Sequence, residues 1–160
     1  MKIYFDSGVL VSAFKQINER FHSHSKLLLE SIRSGEHEGE TSELSIVEFA
    51  GAFASNTRAP IEQVVGMLST LQSQYHLRFT SFGDSVIESI EFQYEFRELK
   101  RKYGIPSADL YHAATSKSVR AHFLASVDAR HLLRDEVRST LKHHIVILNP
   151  EELCKILNVQ

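Results

Sequence analysis

Lys2-Ile3-Tyr4-Phe5-Asp6-Ser7-Gly8-Val9-Leu10-Val11 opens the chain with an apolar run that stops at an acid and then changes its period. Lys2 to Phe5 reads as a strand, and the pattern from about Gly8 to Lys15 is helical. Further along, stretches rich in β-branched or aromatic residues alternate with amphipathic ones. This alternation predicts an α/β fold, a three-layer α/β/α sandwich around a mainly parallel sheet.

The spacing predicts an amphipathic helix from about Phe21 to Ser34, with Leu27, Leu28 and Ser31-Ile32 on one face. A polar turn, Gly35-Glu36-His37-Glu38-Gly39, leads to a short second strand at Glu40-Thr41. Glu43 to Ser55 is helical and apolar nearly all round, which predicts a buried helix. Pro60 opens a helix through about Gln74, since proline suits a first turn. His76 to Phe82 alternates as a strand does. Asp84 to Lys102 reads as one long helix ended by Gly104 and Pro106. Ser107 to Ser118 is a helix with Ser107 as its N-cap. Ala121 to Val127 and His143 to Leu148 are the last strands, joined by an irregular or helical stretch from Ala129 to about Leu141. Pro150 begins a closing helix. No repeat, low-complexity tract or linker interrupts residues 1–160, so one domain is expected.

Composition excludes several classes of function. With 160 residues, 42% hydrophobic and 24% charged, the chain can bury a sizeable core. The net charge of −2 gives no global positive field, so binding of a polyanion must rest on local basic groups or on metal. Cys154 is the only cysteine, which rules out an internal disulfide and a cysteine-based zinc site and suits a reducing cytosol. The apolar start is cut short by Asp6, so neither a signal peptide nor a membrane span is expected. A cytoplasmic location follows as the expectation.

Four acids sit where an acid is locally awkward. Asp6 and Asp128 each end an apolar run, Glu48 is the only charge between Glu43 and Arg58, and Asp109 opens a helix. Carboxylates beside apolar surface are costly unless paired, protonated or bound to a cation. In a parallel sheet, ligands lie beyond the carboxyl ends of the strands. Asp6 and Asp128 would meet there if the first and fourth strands are neighbours. Each is equally readable as a helix cap, Glu48 as the partner of a distant arginine, and Asp109 as an acid favouring its helix dipole. Together they match the all-oxygen shell that Mg²⁺ or Mn²⁺ prefers. Gathering them costs repulsion, and the apolar surroundings of Glu48 make it the group expected to take up a proton without metal.

These residues, in this order, resemble the PIN-domain nucleases and especially the VapC-type toxins. Ile3 to Val11 is similar to that family's first motif. Ser42 to Glu48 is similar to its second, with a serine six positions before the acid. Ser107 to Thr115 is similar to its third, and Leu124-Ala125-Ser126-Val127-Asp128 to its fourth. Two departures stand out. Ser126 occupies a position where threonine is commoner, and Ala129-Arg130-His131-Leu132 follows where an acid and an aromatic are often seen. The resemblance implies a metal-dependent endoribonuclease, often a homodimer, commonly the toxin of a toxin–antitoxin pair whose antitoxin lies across the site. Asp6, Glu48, Asp109 and Asp128 would then be both catalytic and metal-binding residues.

Ser7 and Ser126 are candidates for orienting carboxylates, and equally for local turn or cap hydroxyls. His112 lies three residues after Asp109 and reads better as a packed, hydrogen-bonded histidine than as a site residue. Arg130, with Arg134 and Arg138, follows Asp128 and is the preferred RNA contact. Lys100-Arg101-Lys102 reads instead as a solvated helix end. Aspartyl phosphotransferases need a second acid two residues after the first, where this chain has Gly8. A PIN-like module that binds RNA or protein without cutting is the remaining alternative.

Overall fold

The computed structural model describes residues 1–15, 19–56 and 59–159. Its elements run in the order β1 (Lys2–Phe5), α1 (Ser7–Phe14), α2 (His22–Arg33), β2 (Glu38–Ser42), α3 (Glu43–Asn56), α4 (Ile61–Ser73) and β3 (Arg78–Thr80). Then follow α5 (Phe82–Glu95), α6 (Arg97–Tyr103), α7 (Ser107–Ser118), β4 (Phe123–Ala125), α8 (Asp135–Leu141), β5 (Val146–Leu148) and α9 (Pro150–Leu157). Among the described residues the strands form a five-stranded sheet of order β3-β2-β1-β4-β5, parallel at every pairing. No helix among the described residues is long and apolar enough to cross a membrane.

Alternation along the strands separates the two cores. Ile3 and Phe5 point to one face with Ala125 and Leu148, where they meet Val9, Leu10, Leu28, Phe49 and Leu153 of the helices. Tyr4, Leu124 and Ile147 point to the other face, against Phe92, Leu110, Ala114, Val137 and Leu141. β1 is therefore apolar on both sides and fully enclosed, as a central parallel strand must be. The chain adds β2 and β3 on one side of β1, then returns to place β4 and β5 on the other. The strand order reverses between β1 and β4, which opens a crevice at their carboxyl ends.

Several elements depart from the sequence reading. The second strand begins at Glu38, within the segment read as a turn, because Lys2 to Tyr4 pair with Glu38 to Glu40. The strands after it are shorter than the segments read for them, since ladder partners exist only for Arg78–Thr80, Phe123–Ala125 and Val146–Leu148. α3 is not buried all round: Ser45, Phe49 and Phe53 face inward at helical spacing, whereas Val47 is 68% exposed. The long helix predicted from Asp84 to Lys102 breaks at Phe96 (φ −100°, ψ 23°), whose ring packs on Phe92 and edge-on to His144. Gly104, at φ 64°, then ends α6 in the left-handed conformation that costs glycine least. Ser107 is the first helical residue and not the cap. Pro106 is extended before it, and the Ser107 hydroxyl accepts from Lys100 Nζ at 2.6 Å.

Gly8 fixes how closely α1 approaches the end of β4. A Cβ at this position would stand 2.6 Å from Val127 Cγ2 and 3.4 Å from Asp6 Oδ1. There is thus no room for the acid that an aspartyl phosphotransferase would carry here. Gly8→Val should destabilise the protein by about 1–3 kcal/mol through overpacking. Denaturant unfolding measures it, and an unchanged midpoint would show that α1 yields freely.

Candidate metal centre

Asp6 continues β1 by one residue beyond the strand, its N–H donating to the Ala125 carbonyl at 3.1 Å. The chain then turns into α1, and Asp6 Oδ1 accepts from the Val9 N–H at 2.9 Å. The cap reading and the strand-end reading therefore describe the same residue. Asp6 is only 5% exposed, and the Ser126 hydroxyl donates to its carboxylate. Ser126 also accepts from the Asp128 N–H at 3.1 Å, tying the end of β4 to the end of β1.

Glu48 projects from α3 into the same crevice. Its Oε2 accepts from His112 Nε2 at 2.9 Å, and the Ser7 hydroxyl supports it as well. His112, on α7, is packed and hydrogen-bonded: 3% exposed, with Nδ1 3.1 Å from the Tyr4 hydroxyl. Because the Glu48 carboxylate accepts, Nε2 of the ring carries a proton. The partner of Glu48 is thus an imidazole and not a distant arginine, and the histidine read as structural touches the site.

Asp109 stands one turn before His112 on α7, beside Asp128. Asp128 Oδ1 accepts from the N–H groups of Arg130 (2.8 Å) and His131 (3.3 Å), a side-chain turn that folds the chain back on itself. That turn carries His131 to the carboxylates. Its Nδ1 lies 2.8 Å from Asp128 Oδ2 and 3.1 Å from Asp109 Oδ2. In the sequence His131 stands out only as part of a departure from the fourth motif. The signal that could have found it is its spacing three residues after Asp128 at the end of a strand.

The charges are unequally compensated. Burial and the neighbouring Asp128 charge push the Asp109 carboxyl up to about 7, with His131 and His112 opposing. Burial also raises Asp6, partly offset by Ser126, His112 and the Val9 N–H. Burial works against ionised Asp128 and Glu48 too, but hydrogen bonds outweigh it in both. His131 and the Arg130 N–H hold Asp128 below the ordinary range, and His112 with Ser7 does the same for Glu48. This overturns the expectation that Glu48 takes up the proton, because Glu48 is half-buried and already has an N–H donor. Asp109 and Asp6 are the groups that favour protonation.

The basic residues after Asp128 divide. Arg130 is exposed and has no ion-pair partner among the described residues. Arg134 lies over the Tyr103 ring at 4.9 Å, and Arg138 pairs with Glu152 at 3.1 Å. On the other group, Arg101 pairs with Glu98 at 3.5 Å and Lys102 lies over the Tyr103 ring at 5.0 Å.

The donor set suits a divalent cation. Asp109, Asp128 and His131 each offer a ligand atom, all within 4.8 Å of one another. Asp109 Oδ2 is buried and has no hydrogen-bond partner. A carboxylate oxygen left unpaired among other carboxylates calls for a proton or a cation.

Solved structures with the same fold include VapBC2 from Rickettsia felis bound to a DNA fragment from its promoter. The match has a TM-score of 0.61 at 16% identity and covers 93% of this chain and 98% of that one. FitAB bound to the IR36 DNA fragment matches with a TM-score of 0.58 at 16% identity, covering 92% and 94%. No curated protein matches the sequence. The PIN domain pattern matches residues 3–136, through β1, the crevice and the turn after Asp128, and the chain belongs to the PIN-domain family.

Proposed function

We propose that this PIN domain is a divalent-metal-dependent endoribonuclease and the toxin of a toxin–antitoxin pair. The observation that carries the reading is the buried, unpartnered Asp109 Oδ2 beside Asp128, in a crevice that also holds Asp6 and Glu48. These four carboxylates would hold Mg²⁺ or Mn²⁺. Bound there, the ion supplies charge neutralisation at a phosphodiester and activates water for in-line attack.

The chain's own groups set up that chemistry. Ser126 fixes Asp6, while Ser7 and His112 fix Glu48, so these carboxylates are oriented before any ligand arrives. Asp109, whose carboxyl is raised to about 7, would have to lose its proton to hold the ion. Arg130, exposed beside Asp128, would meet an RNA phosphate. Arg134 would reach one only by leaving Tyr103.

The partner reading draws on the two similar structures, both toxin–antitoxin complexes on DNA. An antitoxin and a second copy of the chain both need apolar surface, and Val47, Ile61, Val65 and Tyr94 are each more than half exposed. The lone Cys154 and the fold suit the cytoplasm.

Asp109→Asn tests both metal and cleavage. RNA cleavage in Mg²⁺ or Mn²⁺ should fall at least about a hundredfold, because the isostere fills the space without the charge. Wild-type turnover in the variant would remove the proposed centre. Full metal binding by the wild type without cleavage of any RNA would favour the non-cleaving module.

The same variant carries a pH signature without metal. The Asp109 carboxyl is raised to about 7, above the unfolded value of about 3.9, so its contribution to stability is complete below the latter and lost as pH rises through the former. In EDTA, wild-type Tm should therefore fall between about pH 5.5 and about pH 8 more than that of Asp109→Asn. Parallel curves would place the proton elsewhere. For RNA contact, Arg130→Ala should weaken association and reduce the salt slope by about 1. An unchanged slope would move the RNA path off this turn.

A further inference from the structure

We propose that His131 is itself a ligand of the metal, so that this PIN domain binds its ion through a mixed oxygen and nitrogen set and favours Mn²⁺ over Mg²⁺. The inference rests on the nuclease reading of the site and deepens it.

Three observations carry it. The first is distance. Donor atoms about 2.1 Å from a shared ion and at right angles to each other stand about 3.0 Å apart. His131 Nδ1 lies 2.8 Å from Asp128 Oδ2 and 3.1 Å from Asp109 Oδ2, on either side of that spacing. The second is that only one of the two contacts is a hydrogen bond. The Nδ1–H is directed at Asp128, and Asp109 Oδ2, though close to the same nitrogen, is left without a partner. With the Nδ1–H spent on Asp128, the Asp109 oxygen keeps a lone pair for a proton or a cation.

The third observation is local architecture. Asp128 Oδ1 is spent on the backbone N–H groups of Arg130 and His131, which leaves Oδ2 facing Asp109 and the imidazole. The turn that orients the carboxylate also delivers the ring, so the two donors arrive as one preformed unit. Leu132, 1% exposed, and the bond from the Leu133 N–H to the Asp128 carbonyl anchor the turn behind them.

The chemistry then sets the metal preference. Ligation uses the neutral ring with its proton on Nε2, and the Asp128 Oδ2 that now accepts from Nδ1 turns its lone pair to the ion. Mg²⁺ is a hard cation that prefers oxygen and water, whereas imidazole suits the first-row transition metals. A nitrogen in the set therefore raises affinity for Mn²⁺ and does little for Mg²⁺.

Mn²⁺ bound to the wild-type protein should show nitrogen modulation in its electron spin echo, and His131→Phe should abolish it. Comparing the two proteins separates His131 from His112, which lies in the same crevice. By calorimetry, His131→Phe should lose at least about tenfold in Mn²⁺ affinity while Mg²⁺ affinity stays within about twofold. His131→Gln keeps a polar side chain of similar length and serves if the phenylalanine variant does not fold; it too should lose the modulation. If wild-type protein binds Mn²⁺, Asp109→Asn abolishes that binding, and no nitrogen modulation appears, His131 is only a hydrogen-bond donor to Asp128 and the inference falls alone. If the wild type binds neither ion, the nuclease reading falls with it.

Discussion

The parallel pairing of β1 with β4 is the constraint on which the rest of the molecule depends. It joins segments about 120 residues apart, matching Ile3 with Phe123, Tyr4 with Leu124 and Phe5 with Ala125. One further bond, from the Asp6 N–H to the Ala125 carbonyl, carries the register past the end of the strand. That register puts Asp6 beside Ser126 and leaves Asp128 two residues away, at the point where the strand order reverses. β1 is enclosed on both faces, so any slip would exchange Tyr4 with Ile3 and Phe5 between two different cores. The energy that holds the acids together therefore comes from apolar burial elsewhere in the sheet, not from the acids themselves.

Much of this was legible in the chain. The strand-then-helix change at Asp6, and the positions of Asp6 and Asp128 at strand ends, carried the layer order and the location of the crevice. The helix at Ser107 to Ser118 fell where its pattern put it. What could not be read depended on partners distant in sequence. Val47 looks like core by composition, yet only one stripe of α3 finds a neighbour. Phe96 breaks a helix because Phe92 and His144 receive its ring, and nothing local to the Glu95–Lys102 stretch announces that. The strand at Glu38 is polar in its side chains and is recruited by the backbone of β1.

The site was legible in its acids and illegible in its bases. A carboxylate in an apolar run is conspicuous, because its cost is visible in the sequence around it. A histidine that offsets the cost is not, since its value depends on which carboxylate its ring meets. His112 follows Asp109 by three residues but serves Glu48, on another helix. Glu48 departs from its expected protonation for the same reason: its apolar neighbours in sequence do not reveal the N–H donor that lowers its carboxyl, whereas Asp109 is raised.

Two imidazoles divide the acids into differently balanced halves. His112 and Ser7 make ionised Glu48 comfortable, and His131 with the turn backbone does so for Asp128. Burial is the largest influence on Asp6 and on Asp109, raising both. The proposed cation would gain most at these two residues, where burial is least offset by hydrogen bonds. Glu48 and Asp128 are held ionised by their hydrogen bonds, so in the proposed centre they would complete a coordination shell without first losing a proton. With the proposed cation bound, displacement of a proton from Asp109 or Asp6 would tie metal affinity to pH, and the other two carboxylates would add affinity nearly independent of it.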